Sequence, residues 1–569
     1  MAPAPWFQPM KCALLALVLM SATIPLSGGN LLSPVWELYD VDDIADIAGS
    51  DGTKVNLLLS WERQGFCGLD GKCVIRNTFA VAENGDHQLE FSFPGDVRAV
   101  FINQTQVAGK VPNAFWTDRG RRTEVGIPRS LLKPNMENEI LVAFDSLSYT
   151  GGISHSFFSI RSIEDQEAEE LLSIDIPKQN HVYLAGDRKR LTVRYAGTAA
   201  HSLRVTIKDD FHQTWVDQVM ETEEGRDAYI LDLEEFELRP GFYECVVVGE
   251  GKSWCGAVEW FVVEPEAIHC STEKPPSFDR YWKAALAELN SVDPGFSLSK
   301  EERLCSPTRD GYILEFESMG NVTIRGYYFV PKEDAPHPVI LHLPGYTYGF
   351  EHLDGFIESE GPVAELALCV RGHGISKDDF DPWDSMTLWA VGICDRQEYV
   401  YRAMYMDCVR AVEFLLQRPE IDPARIGVAG GSQGGGLALA TAGLCGSKIA
   451  ACAVFDPWLC DFTHQVEIRT MVNKELQSFA EHPAIPCDTD QMMAVLDFVD
   501  TRYFAKDIEC PVYFSTSLFD DDCPPHCGFS VFNSLQGDKT YVVYPNDSHL
   551  GESGQYGELG KFLEKMLVR

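Results

Sequence analysis

The chain has 569 residues, and at about 150 residues per domain that length predicts two to four domains and a sizeable core. Hydrophobic residues make up 45% and charged residues 23%, which excludes a collagen, a low-complexity disordered chain and a polytopic membrane protein. With 47 Lys and Arg against 85 Asp and Glu the net charge is −38, so a phosphate backbone or an anionic bilayer would repel it, and neither nucleic acid nor membrane is expected as a partner.

The chain opens with Lys11, an apolar run from Cys12 to Met20, and small residues through Ser27, Gly28 and Gly29. That is the order of a secretory signal, expected over residues 1–29, and it predicts a secreted or periplasmic protein. No later stretch is long enough to span a bilayer. Export would permit disulfides, for which Cys67 with Cys73 and Cys245 with Cys255 are the close pairs. There is no Cys-x-x-Cys, so neither a zinc site nor a redox dithiol is expected.

From about residue 31 to 265, short runs rich in Val, Ile, Phe and Tyr are broken by Gly, Asn, Asp and Pro. Examples are Lys54–Ser60, His87–Phe93, Val97–Ile102, Ile140–Phe144, Arg190–Tyr195 and Tyr243–Val248, a spacing that reads as β-sandwich. The acidic stretch Glu164–Glu170 suggests a seam, giving one sandwich over 31–165 and a second over 166–265. The segments Ala99–Ala108, Val125-Gly-Ile-Pro, Asn138–Phe144 and Gly151-Gly152-Ile153 resemble the galactose-binding-like jelly roll, and the second sandwich resembles an immunoglobulin-like domain. Such a jelly roll either binds sugar or buttresses a neighbour, and no residue marks a sugar site, so buttressing is expected.

After Pro265 the pattern changes to strands alternating with helices, which predicts an α/β domain over 266–569 with a mostly parallel sheet. Phe278, Tyr281, Trp282, Ala285 and Leu289 share one face of a helix over Ser277–Leu289. Strands are expected at Pro338–Leu343, Val363–Val370, Ile426–Ala429, Ile449–Phe455, Pro511–Leu518 and Thr540–Tyr544. Helices are expected at Tyr401–Leu416, Leu437–Ala442 and Tyr556–Val568, with Tyr405, Val409, Val412 and Leu416 turned to the core.

The sharpest local signal is Ile426-Gly-Val-Ala-Gly-Gly-Ser432-Gln-Gly-Gly-Gly, a Gly-x-Ser-x-Gly core between an apolar strand and a small-residue helix. Glycines on both sides of the serine let a strand reverse abruptly into a helix and leave the hydroxyl proud at the sheet edge, which makes Ser432 the candidate nucleophile. A serine hydroxyl needs a histidine to take its proton and an acid to hold that histidine, and in this fold acid and base follow the serine in sequence. His549 lies just past the strand Thr540–Tyr544, whereas His464, His482 and His526 do not fit that place. Asp520, Asp521 and Asp522 follow the strand Pro511–Leu518, and position alone does not choose among them. Two backbone N–H groups are needed for the oxyanion; the candidates are Gln433, after the serine, and Tyr346, after Pro344-Gly345 at an earlier strand end.

These residues resemble the acetyl xylan esterase and cephalosporin-C deacetylase family of carbohydrate esterases. The resemblance runs from about Lys274 to the end, through Phe278–Trp282, Arg371-Gly372, Tyr399–Arg402 with Asp407, the elbow Gly430–Leu439, Pro457–Phe462 and Asp520-x-x-Cys-Pro-Pro525. It implies that Asp520 is the acid of the triad, that no metal or organic cofactor is used, and that ring-like homo-oligomers are possible. Three positions depart from the family pattern: His373 stands where a glutamine is usual, Pro344 where a histidine is usual, and Leu550 where a glutamate is usual. The first puts the glutamine-mediated bonding near the site in doubt and adds a titratable ring.

The expectation is therefore an exported serine esterase removing acetyl groups from carbohydrate esters, with Ser432, Asp520 and His549 as triad. Two rivals belong to other classes. A peptidase of the prolyl oligopeptidase type usually carries tyrosine after the serine, where this chain has Gln433. A noncatalytic glycan-binding protein would have no use for an ordered triad.

Overall fold

In a computed structural model the described residues run from 31 to 568, apart from 40, 42–43, 48–49, 58–70, 82–84, 93–95, 112–122, 147–156, 163–170, 197–201, 251–253, 334–335, 384–385 and 550–553. The expected signal segment and Cys67 lie outside them. The chain divides into two compact units, one ending at Pro265 and including Ile468–Lys474, the other formed by Glu266–Glu467 and Glu475–Arg569.

Up to Pro265 the described residues of the first unit form β-sheets joined by short helical turns, a six-stranded with a three-stranded sheet and then a three-stranded with a five-stranded one. Alternation of period two places every second side chain inside, as in Arg190–Ala196, where Leu191, Val193 and Tyr195 are buried. Trp36 and Phe91 both pack on Phe158, with ring centroids 5.0 and 5.4 Å apart, joining the six- and three-stranded sheets. Tyr243 stacks on Phe261 at 5.3 Å inside a separate second core. The suggested Cys245–Cys255 bridge is not formed. Cys245 stands opposite Glu259 and Cys255 opposite Gly249, and Cys245 is a free thiol inside the core.

The second unit is an α/β-hydrolase fold. Its strands are β1 (Ser297–Lys300), β2 (Arg309–Ser318), β3 (Val322–Pro331), β4 (His337–Leu343), β5 (Ala364–Cys369), β6 (Ile421–Gly431), β7 (Ala451–Phe455), β8 (Val512–Ser517) and β9 (Lys539–Tyr544). They form one sheet in the order β1-β2-β3-β5-β4-β6-β7-β8-β9, antiparallel as far as the β3–β5 pair and parallel beyond it. Every side chain of β4, β5, β7 and β8 is buried, as expected for strands covered on both faces.

The helix Phe278–Asn290 buries the five residues named above. The helix Val400–Leu416 differs from the expectation of a single core face: it is buried almost all round, including Tyr401, Arg402 and Asp407, while Leu416 is only half-buried. A bidentate ion pair makes that burial tolerable: the Arg371 Nε and Nη2 groups donate to the two Asp407 carboxylate oxygens at 2.9 and 2.7 Å. The parallel strands leave six loops at one edge of the sheet, those after β4, β5, β6, β7, β8 and β9.

Candidate active site

Strand β6 ends at Gly431, and Ser432 begins the helix Gln433–Cys445 with φ 55° and ψ −126°. A side-chain-bearing residue is strained there, and the surroundings impose it: a Cβ on Gly430 would overlap the carbonyl of Gly434, and one on Gly434 would overlap the carbonyl of Leu343. The reversal therefore requires glycine at both places. The turn is locked by the Ser432 N–H donating to the Phe455 carbonyl at 3.1 Å and the Trp458 N–H donating to the Ser432 carbonyl at 2.8 Å.

At the end of β8, Asp520 is fully buried and its Oδ1 accepts the backbone N–H groups of Asp522 and Cys523, both at 2.8 Å. Its other oxygen, Oδ2, meets His549 Nδ1 at 2.8 Å. Of the three adjacent aspartates this one touches the histidine, while Asp521 and Asp522 are partly exposed. His464 instead bonds Asp461 at 2.9 Å. Burial pushes the Asp520 carboxyl above its ordinary range, and the neighbouring imidazole pulls it back. For His549, burial disfavours the charged ring, but the Asp520 carboxylate outweighs it and holds the pKa well above 6.5.

Cys523 lies beside these groups, and nothing in its sequence position marks it for a role. Its Sγ lies 3.9 Å from Ser432 Oγ and is grouped with the donor atoms of Asp520 and His549, all within 4.8 Å of one another. Burial pushes its thiol up to about 11, so it is uncharged at neutral pH. Among the described residues no direct hydrogen bond joins Ser432 to His549; the thiol is their common neighbour.

The two oxyanion candidates are brought together by a side chain. Gln433 is completely buried, and its Nε2 donates to the Pro344 carbonyl at 3.2 Å, tying the start of the helix to the loop that carries Tyr346. Its Oε1 accepts from the Tyr401 hydroxyl at 2.6 Å. The second Nε2 proton faces His373 Nε2 at 3.0 Å, and His373 Nδ1 faces the Arg371 carbonyl at 3.0 Å. That carbonyl requires the proton on Nδ1, which leaves Nε2 as the acceptor Gln433 needs. Burial pushes the His373 ring down to about 4, so it stays neutral. The histidine therefore supplies the bonding that its departure from the family pattern put in doubt. Aromatic rings surround the loop: Tyr346 packs on Trp383 and Trp458 at 5.2 and 6.1 Å, and its hydroxyl meets Thr387 at 2.8 Å.

Among the described residues, Cys270, Asp461 and His464 form a second group with metal-ligand donors, also within 4.8 Å of one another. In both groups the carboxylates are already engaged, Asp520 as above and Asp461 by His464 and by Arg502 at 3.4 Å. They fit hydrogen-bonded pairs better than a metal centre.

The model of the acetyl xylan esterase family, AXE1, matches residues 266–566. The chain belongs to the acetyl xylan esterase family. It is accordingly a carboxylic-ester hydrolase, of a family that acts on acetyl esters of carbohydrates. The acetyl esterase Axe7A of Xylanibacter ruminicola is 28% identical over 333 residues, which cover 55% of this chain and 71% of that protein. Solved structures similar to it include an acetyl xylan esterase from Paenibacillus sp. R4, at 27% identity over 53% of this chain and 98% of that one with a TM-score of 0.49. Acetyl xylan esterase 1 from Thermoanaerobacterium sp. JW/SL YS485 is 24% identical over 53% of this chain and 97% of that one, with a TM-score of 0.47.

Proposed function

We propose that the chain is an exported serine esterase that removes acetyl groups from carbohydrate esters by way of an acyl-enzyme on Ser432. The observation that carries this reading is the 2.8 Å contact between His549 Nδ1 and Asp520 Oδ2, at the sheet edge where Ser432 is held in its strained turn. With Nδ1 on the acid, Nε2 is the nitrogen left to act as base, beside the Cys523 thiol. It takes the Ser432 hydroxyl proton while Oγ bonds to the acetyl carbonyl carbon. The oxyanion is held by the Gln433 and Tyr346 N–H groups, and collapse breaks the bond to the sugar oxygen, which leaves with the proton from His549. Water, deprotonated by the same nitrogen, then releases acetate. No step calls for a metal or an organic cofactor.

Export is supported by the leader-like segment together with a disulfide, Cys394–Cys487, which bridges 93 residues of the catalytic unit and was not foreseen. The test is a panel of acetylated sugars and longer acyl esters, run with wild type and Ser432→Ala. Acetate release lost in the variant is the expected result; equal rates would refute the reading, and cleavage of a prolyl-peptide reporter without esterase activity would replace it.

A further inference from the structure

Directly after strand β7 comes Asp456, a carboxylate that the acyl-transfer steps above do not use. It is 1% exposed and takes φ 40°, a backbone conformation unusual for a residue with a side chain. Its Oδ1 accepts the Ser517 N–H at 2.7 Å, and its Oδ2 pairs with the Ser517 hydroxyl at 2.9 Å and accepts from Gln555 Nε2 at 3.3 Å. Gln555 also donates to Ser517 Oγ at 3.0 Å and accepts from the Ser515 hydroxyl at 3.0 Å. Four buried polar side chains thus form one network in which each has a partner.

What the network joins is informative. On the Asp456 side, the carbonyl of Phe455, one residue earlier, accepts from Ser432, and the N–H of Trp458, two residues later, donates to Ser432. On the Ser517 side, its carbonyl accepts the N–H of Asp520 at 3.3 Å. Gln555 opens the helix Gln555–Leu567, which follows the loop of His549. Its N-terminus favours a nearby negative charge. One carboxylate therefore touches the segments that carry all three members of the proposed triad.

We propose that Asp456 is a positioning residue of the reaction, holding the serine turn, the acid turn and the base-bearing segment in register and placing a second carboxylate beside the Asp520–His549 pair. This rests on the Ser432–Asp520–His549 reading. The titratable groups that face Asp456 are Asp520 on the acid turn, His549 on the base loop and Tyr544 at the end of β9. Burial, with Asp520 adding to it, pushes the Asp456 carboxyl up to about 8. It therefore gains charge as the pH rises through that value. A negative charge arriving there stabilises the imidazolium that forms in the transition state, so kcat climbs through this range on top of the ordinary titration of His549.

The experiment measures kcat, KM and the pH profile of acetyl-ester hydrolysis for wild type, Asp456→Asn, Ser517→Ala and Ser432→Ala, each normalised to active sites titrated with a fluorophosphonate or to folded protein by thermal melting. Asp456→Asn is expected to lower kcat at least about tenfold with KM within about twofold, and to lose the rise near pH 8. A merely structural role would reduce the number of active sites and leave the profile of those remaining unchanged. Wild-type kcat and profile in Asp456→Asn overturn the proposal. If that variant does not fold, Ser517→Ala takes its place. A severalfold loss of kcat with KM preserved is then expected, and an unchanged kcat overturns it. Failure of the triad reading is seen separately, as full activity in Ser432→Ala.

Discussion

In the sandwich unit, arginine ion pairs are exposed or half-exposed: Arg204 meets Asp217 at 2.8 Å with side chains 62% and 44% exposed. The catalytic unit has exposed pairs as well, such as Lys561 with Glu558 at 62% and 52%, but it also buries whole pairs, as Arg371 with Asp407 at 7% and 0% exposure. An exposed pair contributes roughly 0–1 kcal/mol, whereas breaking a buried one leaves an uncompensated charge and costs about 3–5 kcal/mol. Burying charge brings little net stability, so its placement reflects what it fixes. Arg371 fixes the turn that aims His373 at Gln433, and Asp520 fixes His549. The sandwich cores are built mainly by apolar alternation, while the sheet edge of the catalytic unit uses its buried polar groups to fix geometry.

The comparison breaks most severely at the triad candidates. Ser432→Ala and Asp520→Asn are each expected to lower kcat/KM by about 10⁴-fold or more with melting behaviour preserved. A sandwich substitution such as Arg204→Ala should leave both rate and stability near wild type. Stopped assays of acetate release beside calorimetric melts decide it, and a residual rate within tenfold of wild type in either variant would remove that residue from the mechanism.

Next in size is the ion pair itself. Asp407→Asn, which leaves Arg371 buried without its counter-charge, is expected to cost about 3–5 kcal/mol in the catalytic unit, whereas Asp217→Asn in the sandwich should leave the midpoint near wild type. Similar denaturant midpoint shifts for the two would show that burial does not separate the two regions. A smaller effect is expected at His373. His373→Phe removes the acceptor for Gln433 and should lower kcat roughly 10- to 100-fold, while His373→Gln, which can accept the same bond, should remain close to wild type.

The pH dependence sharpens the same point. Because Asp520 holds His549 well above 6.5, the base is protonated and idle at lower pH, and the acid limb of kcat/KM should lie on the alkaline side of 6.5. An inflection at or below 6.5 would show that the carboxylate does not govern the ring.

The elements legible in the sequence were those whose periodicity reports burial directly. The helix 278–290, the strands ending at Leu343, Phe455, Ser517 and Tyr544, and the Gly-rich turn at Ser432 all stand within a residue or two of expectation. Contacts between distant segments were not legible. Cys394 and Cys487 carry no local signal for each other, being 93 residues apart, whereas the close pair Cys245 and Cys255 falls out of register across its hairpin. Cys523 belongs to the quoted Asp-x-x-Cys-Pro-Pro run, but its place beside Ser432 depends on how two loops converge. Asp456 precedes the quoted Pro457–Phe462 run by one residue, and only the burial of Ser517 and Gln555 around it distinguishes it from a solvated aspartate.

The smallest expected effect concerns the exception in the sandwiches. Glu259 is 3% exposed in the strand Trp254–Val263, and burial, with Asp175 adding to it, pushes its carboxyl up to about 8. The folded state thus keeps a proton that the unfolded chain releases near pH 4.5. Stability from this group is full below that value and is lost as the pH climbs towards 8. Glu259→Gln, neutral at every pH, should flatten that decline in the melting temperature while leaving kcat unchanged. Parallel declines in wild type and variant between pH 5 and pH 8 would mean that the carboxyl is ionised in the fold, and that this sandwich, like the catalytic unit, accommodates an inward charge.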